Sequence, residues 1–181
     1  MTRCPTIETE RLLLRPLAES DLAAYAKIMM SSPVRASLRM ADDFSEYDAW
    51  QQLASFRGQW ELRGTGQWAL EERATGRFVG RAGTHWPHRF DWPGVEVGWT
   101  LDPAVWGLGY ATEAGRASVD WAFTTLDVDA LCSMIHIENP RSAAVAVRLG
   151  FEAVETRIFA WHTGIEHTHW RLTRAVWARA S

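Results

Sequence analysis

Apolar positions along the chain recur with two periods, and the period changes twice. Arg11-Leu12-Leu13-Leu14-Arg15-Pro16-Leu17 is a short apolar run closed by proline, which predicts a strand. From Glu19 to about Ser31 the spacing of Leu22, Tyr25, Ala26 and Met29 predicts a helix that Ser31-Ser32-Pro33 breaks. A second helix is expected over about Ser45 to Leu62, with Ser45 as N-cap and Trp50, Leu53, Phe56 and Trp60 on one face. After Gly64 and Gly66 the period drops to two. Gln67–Glu72 and Phe78–Trp86 read as strands around an Ala74-Thr75-Gly76 hairpin, and Val95–Leu101 as the third strand of the meander, beyond an aromatic and proline-rich loop. A helix from Tyr110 to about Leu126 follows, then a strand over Leu131–Ile137 and a helix opened by Asn139-Pro140 and ended by Gly150. Phe151–Trp161 and His167–Thr173 form a final antiparallel pair around Thr163-Gly164.

This order predicts an α+β fold: a mixed, mostly antiparallel central sheet of about seven strands flanked by about four helices. No repeat, linker or low-complexity segment interrupts it, so residues 1–181 are expected to form one domain. A net charge of −3 gives no basic footprint for nucleic acid. There is no apolar run of membrane-span or signal-peptide kind, so a cytoplasmic protein without a membrane partner is expected. Cys4 and Cys132 make neither a disulfide framework nor a zinc spacing, and no metal site is expected; His162, His167 and His169 lack a completing carboxylate or cysteine. Arginine outnumbers lysine 18 to one, and 11 tryptophans are expected mainly in the core.

Chemistry concentrates in Trp106-Gly107-Leu108-Gly109-Tyr110-Ala111-Thr112-Glu113-Ala114. A strand, a small-residue loop and a helix start make an anion site: glycine lets the backbone approach, and the first-turn N–H groups point at the ligand. Thr112 stands where the third glycine of a dinucleotide fingerprint would fall, and no Gly-Lys-Ser/Thr follows. The expectation is a phosphate-bearing ligand of another kind. In the preceding strand, alternation puts Val95, Val97, Trp99 and Leu101 on one face and Glu96, Gly98 and Thr100 on the other. Glu96 is a candidate base, or else an acid on a solvated sheet face or one paired with a nearby arginine such as Arg81.

Val95–Leu101, Trp106–Ala114 and Asn139-Pro140-Arg141-Ser142 through Leu149-Gly150-Phe151 together resemble the GNAT superfamily of acetyl-CoA-dependent N-acetyltransferases, most closely its ribosomal-protein alanine N-acetyltransferase branch. The resemblance spans Ile7 to Thr173. It implies an acetyl-CoA donor whose pyrophosphate is held by backbone N–H groups of Gly107, Leu108, Gly109, Tyr110, Ala111 and Thr112. Trp106 replaces the basic or amide residue that usually begins that loop. It further implies Glu96 as the base that takes the amine proton, directly or through water. Asn139, which also reads as a helix N-cap, would lie against the pantetheine arm, and Ser142 would hydrogen-bond the leaving thiolate. Many members carry a tyrosine where this chain has Ala146. The sheet is expected to splay between the Glu96 strand and the Leu131–Ile137 strand, with backbone N–H groups near Val97 and Trp99 polarising the thioester carbonyl. The acceptor is a primary amine, on a protein N-terminus or a small molecule, with Trp86, Trp92 and His88 as candidate walls. A homodimer is compatible with the resemblance. A non-catalytic acyl-CoA-binding or regulatory domain is the alternative.

Overall fold

A computed structural model describes residues 4–40, 43–160 and 164–180. Its centre is an eight-stranded sheet in the order β1-β2-β3-β4-β5-β6-β8-β7. The strands are β1 (Ile7–Glu8), β2 (Leu12–Arg15), β3 (Gln67–Glu72), β4 (Arg77–His85), β5 (Glu96–Leu101), β6 (Ala130–His136), β7 (Glu152–Ile158) and β8 (Glu166–Thr173). The helices are α1 (Leu22–Met29), α2 (Ser32–Leu38), α3 (Glu46–Arg63), α4 (Tyr110–Thr125), α5 (Pro140–Arg148) and α6 (Arg174–Ala180). Every neighbouring pair is antiparallel except β5 and β6.

The fold class is the expected one, with one more strand and two more helices. The added strand, β1, is two residues long and pairs with β2, too short to show a period. Ser31-Ser32-Pro33 does break the first helix, but it also starts α2: Ser31 is extended and Pro33 sits in the first turn, where its missing N–H costs nothing. Arg174 begins α6 and ties it down, donating to the carbonyls of Phe123, Leu126 and Val128 at the end of α4. Thr163, in the expected final turn, and Trp161, at the expected end of its first strand, lie outside the described residues.

Helices pack on both faces of β3 and β4, while the edge strand β7 is exposed along its length. Trp68, Leu70, Val79 and Ala82 pack with Ala114 and Tyr110 of α4, and Trp60, Trp68 and Trp121 meet edge to face. On the other face Ala69 lies under α1 and α3 through Tyr25, Met29, Leu53 and Phe56. Ser45 caps α3 in a reciprocal box with Asp48.

The break that positions the site falls between β5 and β6. These parallel strands register at one pair, Glu96 with Cys132, where Cys132 N–H donates to the Val95 carbonyl at 2.9 Å. Beyond that rung the strands part.

Candidate active site

Two clefts approach the gap between β5 and β6. The larger, about 1120 Å³, runs from the start of α4 past Trp106 to α5. The other, about 630 Å³, lies between the β4–β5–β6 surface and α3. They share Ser37, Leu38, Trp99, Thr100, Asn139 and Ser142, the residues around the opening.

The larger cleft begins at the glycine loop. Gly107 and Gly109 hold φ of +84° and +83°, a region open to glycine and strained for other residues. Gly109 is the N-cap of α4 and has no side chain to cap it, so the N–H groups of Tyr110, Ala111 and Thr112 are left for a ligand or water. Tyr110 anchors the turn by donating to Glu72 at 2.7 Å. Arg11, just before β2, braces the loop, donating to the Leu108 carbonyl at 2.8 Å and pairing with Glu113 at 2.6 Å. Burial opposes the Glu113 charge, but hydrogen bonds from Thr9 and from the backbone and side chain of Arg11 hold its carboxyl below the usual carboxylate range. Arg116, Arg141 and Arg148 line the same cleft, Arg141 over the Trp106 ring at 5.0 Å. A phosphate cradle with cationic walls fits a pyrophosphate-bearing donor.

Trp99, Trp106, Gly107, Gly109, Tyr110, Ala111, Thr112, Asn139 and Ser142 all border this cleft. Two expected residues do not. Leu108 turns its half-exposed side chain away, and its carbonyl serves Arg11. The Val97 side chain is fully buried in the core beneath α4. Its backbone faces β6: its partner Thr84 bonds to Gly66 instead, so Val97 makes no ladder bond to β4. Parallel pairing at Glu96 and Cys132 then engages the Val97 N–H with the Cys132 carbonyl. The next N–H on that side, past the rung, belongs to Trp99.

Glu96 fills the opening itself. One carboxylate oxygen accepts from Met134 N–H at 3.2 Å, the donor that the next rung of a continuous ladder would have used. The other lies 3.3 Å from Nδ1 of His85, its cross-strand neighbour. Arg81, expected as a possible partner, instead bonds to Tyr25 and Gln67. The Glu96 side chain is 12% exposed and opens into the smaller cleft. Cys132 sits beside it, but burial first and the Glu96 charge second push its thiol far above the ordinary value, so it supplies no thiolate.

Asn139 caps α5: its Oδ1 accepts from Ser142 N–H at 3.1 Å and its Nδ2 donates to the Ser37 carbonyl of α2 at 3.0 Å. The Ser142 hydroxyl has no hydrogen bond among the described residues and stands at the junction of the clefts. Ala146 is fully buried against the core, so this turn presents no hydroxyl to the opening. His136 and His167 pack ring to ring at 5.6 Å in the smaller cleft, and burial lowers the His136 pKa. Among the described residues no three His, Cys, Asp or Glu side chains gather to hold a metal; His162 lies outside them.

The aromatic loop is placed differently from the expectation. Trp86 and His88 border a separate outer hollow with Arg63, which lies over the Trp86 ring at 4.9 Å. Trp92 packs edge-on against His85, behind the cleft wall. Only Arg89 of the loop reaches the smaller cleft. The basic residues Arg11, Arg116, Arg141 and Arg148 were not singled out by the motifs. Helical spacing from the glycine loop, with Arg116 two turns on, was the available signal for one of them.

A sheet that splays beside a glycine loop with uncapped first-turn N–H groups, with a carboxylate in the gap, matches the arrangement expected of an N-acyltransferase. The family model for the acetyltransferase (GNAT) domain matches residues 11–152, and the chain belongs to this family. The solved acetyltransferase of Agrobacterium tumefaciens strain C58 is 34% identical, with a TM-score of 0.80 over 95% of this chain and 96% of that one. The FsC-acetyl coenzyme A-N(2)-transacetylase of Aspergillus fumigatus is 30% identical over 187 residues, covering 97% of this chain and 79% of the relative. The ribosomal-protein-S5-alanine acetyltransferase of Vibrio fischeri, 18% identical, shares the fold with a TM-score of 0.74 over 96% of this chain and 99% of that one. The matches support an N-acetyltransferase enzyme over the non-catalytic alternative. Among the described residues no helix is long and apolar enough to cross a membrane.

Proposed function

We propose that the chain is one catalytic domain that transfers an acetyl group from acetyl-CoA directly to a primary amine. The observation that supports this reading is the meeting of two clefts around Trp99, Thr100, Asn139 and Ser142, with the Glu96 carboxylate lining the smaller of them beside the gap. The larger cleft takes the donor, with its pyrophosphate on the N–H groups of Tyr110, Ala111 and Thr112 and its outer phosphate among Arg116, Arg141 and Arg148. Asn139 and Ser142 stand where the thioester end reaches the gap. The Trp99 N–H faces that gap and is the group available to polarise the thioester carbonyl. The amine enters through the smaller cleft and gives its proton to Glu96, with His85 as the carboxylate's neighbour. Nitrogen attacks the carbonyl carbon, the C–S bond breaks, and the Ser142 hydroxyl donates a hydrogen bond to the departing thiolate. Holding both reactants at one opening removes the entropic cost of a bimolecular encounter.

Glu96→Gln tests the base. It keeps the side-chain volume and the bond from Met134 while removing proton acceptance. Turnover of an accepted amine is expected to fall by about 10²–10⁴, with the KM for acetyl-CoA nearly unchanged. An unchanged kcat would remove Glu96 from this role.

A further inference from the structure

The smaller cleft contains a cation, Arg81, whose partners among the described residues are all uncharged. Arg81 projects from β4 with its guanidinium 4.6 Å over the Phe56 ring, its Nε donating to the Tyr25 hydroxyl and its Nη1 to Gln67 Oε1, both at 3.1 Å. Every one of these partners is neutral. Among the described residues no carboxylate lies within ion-pair distance of Arg81, in contrast to Arg15, which holds both Asp21 and Glu71. A guanidinium fixed by a ring below and two hydrogen bonds at its edge keeps its remaining donors in a set direction, and Arg81 lines the cleft.

Its position relative to Glu96 gives the fixed charge a use. Arg81 registers with Thr100, and His85 with Glu96, so the two charged groups stand two same-face positions apart across Gly98. The nearest atoms that a Cβ at Gly98 would meet belong to the Gln67 amide nitrogen and the Glu96 carboxyl group, each at 3.9 Å. Along the floor of the cleft the order is therefore Arg81, Gln67, an empty space over Gly98, and Glu96. A cation and an anion face one another across a hollow floored by glycine. The other acid on this cleft, Asp48, is held at the mouth by the Ser45 capping box.

Resting on the proposed amine acetylation at Glu96, we propose that the acceptor is an amino acid, a small molecule with an ammonium and a carboxylate, whose carboxylate is bound by Arg81 while its amine is presented to Glu96. The amine then loses its proton to Glu96 and forms the amide bond as CoA leaves as the thiol; the carboxylate takes no part in bond making. Arg81 acts by orienting the nitrogen, since a carboxylate docked on a planar donor edge leaves the amine few directions to point.

The experiment compares each amino acid of an α- and ω-amino acid panel with its own carboxamide, alongside spermidine and a short peptide with a free N-terminus, reading CoA thiol release by the wild-type enzyme. Acids are expected to exceed their carboxamides in kcat/KM by about ten- to hundredfold, the worth of a charge-assisted contact. In Arg81→Gln the acid KM rises by a similar factor and the gap between acid and carboxamide closes, while the KM for acetyl-CoA is held. Arg81→Lys restores part of the preference. A purely structural Arg81 would lower acid and carboxamide turnover together, which overturns the proposal, as does equal use of the two by the wild type, a comparison that needs no variant. Turnover of spermidine or the peptide with no amino acid accepted overturns the carboxylate assignment and leaves N-acetylation standing. Silence across the whole panel, with acetyl-CoA still bound, overturns both.

Discussion

Gly109 contributes through the side chain it does not carry. Its φ of +83° turns the chain into α4 and exposes the first-turn N–H groups, and a Cβ added there would lie 3.4 Å from the Arg11 guanidinium that braces the loop. Alanine at such a dihedral costs about 1–2 kcal/mol, and relaxing that strain moves the N–H groups away from the anion they would hold. Gly109→Ala is expected to raise the KM for acetyl-CoA by roughly tenfold or more, about 1.4 kcal/mol per decade, with little effect on the acceptor KM. Steady-state kinetics with each substrate varied in turn checks this. A matched rise in both constants would place the loop outside donor binding.

Among the elements, α5 is the one whose start serves both the fold and the clefts. Asn139 joins its first turn to Ser37 of α2, 102 residues away in the chain, and does so at the junction of the two clefts. Asn139→Ala removes the cap and the link together and is expected to cost about 1–2 kcal/mol in urea denaturation, while Asn139→Asp, which keeps a cap acceptor and loses the donor to Ser37, recovers most of that. If alanine left stability unchanged, the cap would carry no weight. The cap itself was legible in the sequence because Asn-Pro before an amphipathic run is a local signal. So were the meander, the glycine loop and the acid on the polar face of β5, all set by period and turn chemistry within a few residues. What local pattern could not show was α2, read as a break because a proline that ends one helix can begin the next, and α6, whose start is fixed by Arg174 reaching across to the end of α4. The partner of Glu96 was equally hidden. Arg81 and His85 lie on the same face of β4, and only the register with β5 decides that His85, and not Arg81, meets the carboxylate. The placements of Arg11 against the glycine loop and of Trp92 against His85 are hidden for the same reason, since a residue's neighbours across strands depend on pairings that span tens of residues.

On the scale of the whole molecule, the sheet is two blocks, β1 to β5 and β6 to β7, joined within the sheet by one registered rung and a carboxylate in place of the next. Both blocks contribute to the larger cleft, β5 and the start of α4 from one side and α5 from the other. A donor bound there as proposed would touch both and act as a strut between them. Because it binds only the assembled blocks, acetyl-CoA at 100 times its Kd should stabilise the fold by about 2.7 kcal/mol, which raises the Tm by roughly 5–10 °C for a chain of this size. CoA, with the same pyrophosphate, should give most of this shift. Amide hydrogen exchange identifies the cause: protection should increase at Tyr110–Thr112 and Trp99 in the first block and around α5 in the second, while β7, at the far edge, keeps its rate. Thermal stabilisation with protection confined to one block would mean that the donor sits on one side of the opening, and the transfer geometry proposed for Glu96 would have to be abandoned.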